Sequence, residues 1–266
     1  MIEEKASFNY YLPFYKYTDL GNWKYFKGLI FIRFLMALFC TKNYIHPDEY
    51  WQSTEVAYNM VYGGVYLPWE WEKENGLRNT LYPFYLSLFV RIVDFFCLDF
   101  AFVIRASYYI GHWILVVIGD HYYFKGGKLL FGEEVTRISL YFYLGNSFFT
   151  ALYIKCFGNS VETILSIIII YYLLQTKSEF NVNFSVMTFL VVISFMIRCT
   201  SIIGFVPIVL IKLVEDRSLY AYIKAACFIA IPTFVLLITI DSYYYETFTF
   251  VPLNFLMKNI VENISA

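Results

Sequence analysis

Charge is scarce in this chain. Asp, Glu, Lys and Arg make up 15% of 266 residues, and 20 basic against 21 acidic side chains leave a net charge of −1. No basic surface is available for nucleic acid, so that class of partner is excluded. Cysteine is sparse too: Cys40, Cys97, Cys156, Cys199 and Cys227 show neither CxxC nor Cys/His spacing. Most of them fall in apolar runs, where a thiol packs as a small hydrophobe, so neither a disulfide framework nor a zinc site is expected. With three histidines and no DxD-like acid pair, no metal or other cofactor is expected. The first 27 residues hold Glu3, Glu4, Lys5, Lys16, Asp19, Lys24 and Lys27. They lack an apolar core or a small-residue cleavage site, so no removable signal peptide is expected, and no lipidation motif is visible.

What fills the chain instead is apolar: 59% hydrophobic residues and a mean hydropathy of +0.56, outside the range of a soluble domain of this length. The reading is an all-α integral membrane protein. Its 28 Phe and 26 Tyr suit many helix ends at the lipid–water boundary. A crossing helix needs about 20 mostly apolar residues, and six or seven segments qualify: roughly 28–43, 81–98, 101–119, 138–155, 160–175, 184–213 and 222–240. Lys16, Lys24 and Lys27 precede the first, which predicts a cytosolic N-terminus over 1–27 and a lumenal loop over 44–80. The mixed stretch 241–266 reads as a lumenal interfacial loop. Whether 184–213 crosses once or folds back at Arg198 is open at this level. No internal repeat divides the chain, so one transmembrane domain, 1–266, is the simplest organisation. Asn183-Phe-Ser and Asn263-Ile-Ser fit a glycosylation sequon, a pattern too short to carry weight.

The stretch HPDEYWQSTEVAYNMVYGG, 46–64, follows the first apolar run. Pro47 suits a first helical position, acids in the next two face the exposed N–H groups there, and Gly63 and Gly64 suit the end. A helix over about 47–62 is predicted, with His46 beside its N-cap. At 3.6 residues per turn Asp48, Gln52, Glu55 and Asn59 share one face. Complementing the helix dipole, at ~0.3–1 kcal/mol each, accounts for Asp48 and Glu49 alone; it does not account for a polar face continuing three more turns. A second cluster, YLPWEWEKENGLRNTLYP, lies in the same loop. An extended Trp69-Glu70-Trp71 would set both indoles opposite the carboxylate. An aromatic belt is the plainer reading of the tryptophans, and a snorkelling anchor that of Arg78.

HPDEYWQSTEVAY, then PWEW, LRN and YP, resembles the first lumenal loop of the mannosyltransferases that use dolichyl phosphate mannose (glycosyltransferase family 22, GT-C superfamily). Within that family it is most similar to the branch adding the third mannose to the glycosylphosphatidylinositol (GPI) precursor. CFGNSVETIL (156–165), RCTSIIGFVP (198–207) and DSYYYETFTFVPLNFLMKN (241–259) extend the likeness over most of the chain. Pro68, Asn79, Cys199 and Phe248 depart from the pattern. The pattern also continues past the Asn-Phe-Leu loop through a Pro-Trp-His-Trp segment that these 266 residues do not contain, so the C-terminal part of the family fold is expected to be missing.

The resemblance implies a polytopic GT-C-type helical bundle with lumenal amphipathic loop helices, in the endoplasmic reticulum membrane. It also implies an inverting transfer of mannose from dolichyl phosphate mannose to a GPI intermediate, through an α1,2 linkage. Phosphate is already a good leaving group, so the site needs a base and a cation rather than a general acid. Asp48 is the candidate base. Glu49, about 100° around the helix, would orient the acceptor or the surroundings of Asp48. Arg198, a charge in a long apolar run, best fits the donor phosphate, with Arg105 and Lys155 behind it. Trp51, Gln52, Glu55, Trp69, Glu70, Trp71, Arg78, Asn159 and Glu162 are candidates for binding acceptor and sugar; a helix start explains Asn159 and Glu162 equally well. Arg33 and Arg91 are expected to pair with Asp94, Asp99 or lipid. The alternatives are the branch adding a fourth mannose, an N-glycan mannosyltransferase, a transporter with Arg105 and Arg198 in its path, or a non-catalytic member. Tyr50-Trp51-Gln52 favours the third-mannose branch over the fourth, whose loop typically continues Phe-Phe-Gln.

Overall fold

The structure is a computed structural model that describes residues 23–40, 46–176, 180–216 and 219–261. The N-terminal segment up to residue 22 and the Asn263 sequon lie outside the described residues. All regular structure among the described residues is helical: α1 (Trp23–Cys40), α2 (Pro47–Glu49), a π turn (Tyr50–Thr54), α3 (Glu55–Tyr62), a 3₁₀ turn (Trp69–Trp71), α4 (Leu81–Phe95), α5 (Ala101–Gly145), α6 (Ser147–Tyr153), α7 (Gly158–Gln175), α8 (Val182–Ile197), α9 (Ser201–Asp216), α10 (Leu219–Ala225), a second π turn (Ala226–Ala230), α11 (Ile231–Tyr245) and α12 (Val251–Leu256), which ends in a third π turn (Met257–Val261).

Among the described residues, three helical runs are long and apolar enough to cross a membrane: Ala101–Gly145, Gly158–Gln175 and Leu219–Tyr245. α8 and α9 are apolar but shorter. Of the other expected crossings, α1 carries Lys24, Lys27 and Arg33 among 18 residues, and α4 has only 15. The protein is thus an all-α membrane protein.

α5 is the centre of the bundle and packs against α1, α4 and α7. Leu86, Val90, Tyr109, Val116, Ile154 and Ile164 form its buried seam. The expected segments 101–119 and 138–155 fall largely on this one run, which reverses at Gly132 (φ 79°, ψ 172°), a left-handed conformation that favours a residue without Cβ. The two arms lie side by side: the Tyr123 and Tyr143 rings stack 4.4 Å apart, and the Tyr123 hydroxyl donates to Ser139 Oγ at 3.2 Å. Arg33, fully buried on α1, donates from Nε to Asp120 Oδ2 at 2.9 Å, and the Tyr143 hydroxyl donates to Asp120 Oδ1 at 2.7 Å. That corrects the expected pairing with Asp94 or Asp99, because a cation without solvent needs a carboxylate equally deep. Arg91 instead donates to the Met60 carbonyl at 3.2 Å.

The region 184–213 folds back. Arg198 is extended (φ −144°, ψ 108°) and ends α8, and Phe184, Phe195, Ile202 and Val209 line one apolar cavity. A single straight helix would hold residues 184 and 209 ~37 Å apart.

The end of α11 and the start of α12 pack on the 70–80 segment. Asp241, 0% exposed, accepts from Asn79 Nδ2 (2.7 Å), Thr80 N (2.9 Å) and Thr80 Oγ1 (2.7 Å). The Tyr245 hydroxyl donates to the Arg78 carbonyl at 2.7 Å, Lys73 pairs with Glu246, and Asn254 Nδ2 donates to the Asn75 carbonyl at 3.2 Å.

Candidate active site

The acidic helix starts where Pro47 predicts. His46 is itself the N-cap, its Nδ1 accepting from Asp48 N at 3.2 Å, and Gly63 and Gly64 take positive φ at the far end. The helix is not uniform, however. The π turn over Tyr50–Thr54, with Ser53 and Thr54 buried, inserts one residue into the repeat. Everything beyond it turns about 100° relative to Asp48, so the single stripe expected for Asp48, Gln52, Glu55 and Asn59 is split. Asn59 Oδ1 accepts from Val65 N at 3.3 Å. Gln52 and Glu55 are half-buried and line neither the cavity beside Asp48 nor the cleft beside Arg198.

The two adjacent acids point into different environments. The Asp48 side chain, half exposed, lines a cavity of about 440 Å³ with His46, Phe149, Leu152, Tyr153, Phe157, Asn159, Ser160 and Thr163. Glu49 is fully buried. Its Oε1 accepts from the Tyr109 hydroxyl at 2.6 Å and from Cys156 N at 3.2 Å, and its Oε2 lies 3.5 Å from Lys155 Nζ. Lys155 Nζ also donates to the Tyr109 hydroxyl at 3.1 Å. Burial pushes the Glu49 carboxyl above its usual range, and the Tyr109 hydroxyl, Lys155 and the Cys156 N–H pull it back. Lys155, 1% exposed, is enclosed at this carboxylate rather than presented to a phosphate.

A second cleft lies beyond the start of α7. Arg78 and Arg198 line it together with Leu77, Met196, Cys199, Thr200, Val251, Pro252 and Phe255. Both arginines are held by carboxylates: Arg78 by Glu70 through two bonds at 2.8 and 3.1 Å, and Arg198 by Glu162 at 3.1 Å. The Arg198 side chain passes over Gly158, its Cδ 3.9 Å from where a Cβ would stand. The first turn of α7 therefore carries Asn159, on the Asp48 cavity, and the partner of Arg198 within four residues. Arg105 stands apart from both clefts and donates to the Ala101 carbonyl of its own helix at 3.1 Å.

Trp69-Glu70-Trp71 forms a 3₁₀ turn rather than the expected extended strand. Trp71 is buried and its indole N–H donates to the Trp51 carbonyl at 3.1 Å, while Trp69 and Trp51 stay exposed. Among the described residues no three His, Cys, Asp or Glu side chains group to hold a metal. Sequence reasoning missed Tyr109, Ser160 and Thr163. Nothing local marks Tyr109, whereas CFGNSVET, the motif beside Lys155, already pointed to 156–163.

A profile of the Alg9-like mannosyltransferase family matches residues 24–266. Among curated proteins the chain is similar to GPI alpha-1,2-mannosyltransferase 3 of Homo sapiens, at 28% identity over 86% of this chain and 41% of that protein. It is similar to GPI mannosyltransferase 3 of Candida albicans at 27% identity, over 94% and 50%, and to mannosyltransferase APTG1 of Arabidopsis thaliana at 28% identity, over 84% and 41%. The chain thus spans about half the length of these relatives. No solved structure matches.

Proposed function

The chain belongs to the Alg9-like mannosyltransferase family, and from that premise we propose that it acts as an inverting GPI mannosyltransferase in the endoplasmic reticulum membrane. The donor is dolichyl phosphate mannose and the acceptor a GPI intermediate receiving its third mannose through an α1,2 linkage. Its relatives named GPI mannosyltransferase 3 support that choice of acceptor. The single observation that carries the reading is Asp48: a half-exposed carboxylate on the wall of a cavity that can hold a sugar.

In the reaction, the Asp48 carboxylate takes the proton of an acceptor hydroxyl while that oxygen attacks the anomeric carbon. The bond from that carbon to the phosphate oxygen breaks with inversion, and its electron pair leaves on dolichyl phosphate. Arg198 and Arg78, in the neighbouring cleft, supply fixed positive charge for the departing phosphate; Glu162 and Glu70 hold them in place. Asn159, beside Asp48, and the exposed Trp51 and Trp69 supply polar and stacking contacts to sugar. The clefts and the 70–80 segment face the lumen in this reading.

The test supplies microsomes bearing the chain with radiolabelled dolichyl phosphate mannose and a two-mannose acceptor. Asp48→Asn is expected to lower transfer by about 10²–10⁴-fold, while Glu133→Gln, on a surface pair with Lys128 and Arg137, leaves it unchanged. Full transfer by Asp48→Asn rules out the assigned base.

A further inference from the structure

The Asp48 cavity has two walls from distant parts of the chain. One is the start of α2, with His46 and Asp48; the other is the turn from α6 into α7, with Phe157, Asn159 and Thr163. Across the opening the walls touch only lightly: the His46 and Phe157 rings meet edge to face at 6.1 Å. Behind it they are fastened by one carboxylate. Glu49, next to Asp48, binds Cys156 N, next to Phe157, at 3.2 Å. Tyr109, on α5, supplies a third anchor at 2.6 Å.

We propose that Lys155 and Tyr109 are positioning residues: acting through Glu49, they clasp the two walls and fix the distance from Asp48 to Asn159 and Thr163, and no member of the clasp touches either substrate. This deepens the reading of Asp48 as the base and rests on it. The burial of the group decides against direct contact, since Glu49, Tyr109 and Lys155 are 0%, 1% and 1% exposed. Its chemistry decides for a clasp. A carboxylate out of water needs its charge matched, and here Oε1 takes its two hydrogen bonds from α5 and from the opposite wall, while Oε2 faces only the Lys155 ammonium, at 3.5 Å. Because neighbouring helical side chains diverge by about 100°, anchoring Glu49 inward commits Asp48 outward into the cavity.

The first test needs no catalysis. Spin labels go on His46→Cys and Thr163→Cys in the full chain, with the native cysteines other than buried Cys156 replaced by serine. The clasp predicts one narrow distance in the parent and a broadened or shifted distribution in Glu49→Gln, which keeps an oxygen for Cys156 N but loses the charge match; an unchanged distribution overturns it. The second test is kinetic. Lys155→Met should lower kcat by about 10²-fold with donor KM within about twofold of the parent, and adding Glu49→Gln should recover part of kcat by removing the stranded carboxylate. A raised donor KM with kcat intact, unrelieved by Glu49→Gln, would make Lys155 a phosphate ligand and overturn the clasp. Should Lys155→Met fail to fold, Glu49→Gln alone carries both measurements. Failure of the base is separable: it appears only as full activity in Asp48→Asn, whatever the label distances.

Discussion

Removing the Asp241 carboxylate should be among the most damaging single changes available outside the reacting centre. It accepts three hydrogen bonds, at 2.7, 2.9 and 2.7 Å, from Asn79 Nδ2, Thr80 N and Thr80 Oγ1. Asn79 is 7% exposed, Thr80 2% and Asp241 0%, so water cannot replace the lost partner without entering the bundle. A bond to a charged group contributes about 1.5–3 kcal/mol, and each buried donor left unsatisfied costs about 1–3 kcal/mol. These overlap, and Asp241→Ala is expected to lose about 4 kcal/mol. Asp241→Asn keeps one accepting oxygen and should lose about half as much. Equilibrium unfolding in mixed SDS–detergent micelles, followed through the five tryptophans, measures both. Trp71 reports on the site directly, because it stacks on Tyr245, ring centroids 6.3 Å apart, four residues beyond the substitution. A loss below about 0.5 kcal/mol for Asp241→Ala, within the range of an ordinary surface change, would refute the clamp.

Two further outcomes are expected. Arg33→Met and Asp120→Leu should each cost about 3–5 kcal/mol in the same assay, while the double variant recovers part of that loss, because a lone buried charge is worse than none, and stays below the parent by the ~1–3 kcal/mol of the Tyr143 hydroxyl left without its acceptor; equal losses in singles and double would contradict the pairing. Asn183 stands 15 positions before Arg198 on α8, ~22 Å along the helix, so with the Arg198 end lumenal its sequon faces away from the glycosylation machinery. Asn183→Gln should leave the endoglycosidase-sensitive mobility unchanged, and a mobility shift would reverse the proposed orientation.

Much of this was legible because its signals are local. Pro47 with two acids at one end, and Gly63-Gly64 at the other, bound one helical stretch by backbone chemistry alone. Arg198 stood out as a charge inside an apolar run, which lipid disfavours, but only the extended backbone at that residue shows that the chain turns there. Other features depend on partners far along the chain. Ser53 and Thr54 are buried in a π turn that a 3.6-residue repeat cannot announce. Glu70 curls into a 3₁₀ turn with its carboxylate on Arg78, where an isolated Trp-Glu-Trp would be extended. Glu49 finds Lys155 across 106 positions and Arg33 finds Asp120 across 87. Composition supplies the need for each pair, and only the packed bundle supplies the match.

The reversal at Gly132 sets more than the path of α5. Its returning arm brings Tyr143 onto Asp120, so the number of residues between the pivot and Tyr143 works as a ruler for that buried cluster; beyond the break at Asn146, α6 carries Tyr153 to the Asp48 cavity. One residue inserted between Gly132 and Tyr143 would swing Tyr143 by about 100° and slide it by about 1.5 Å, taking its hydroxyl off Asp120 although neither residue had changed. Variation in length is thus tolerable at the pivot itself and ruinous on the arm behind it.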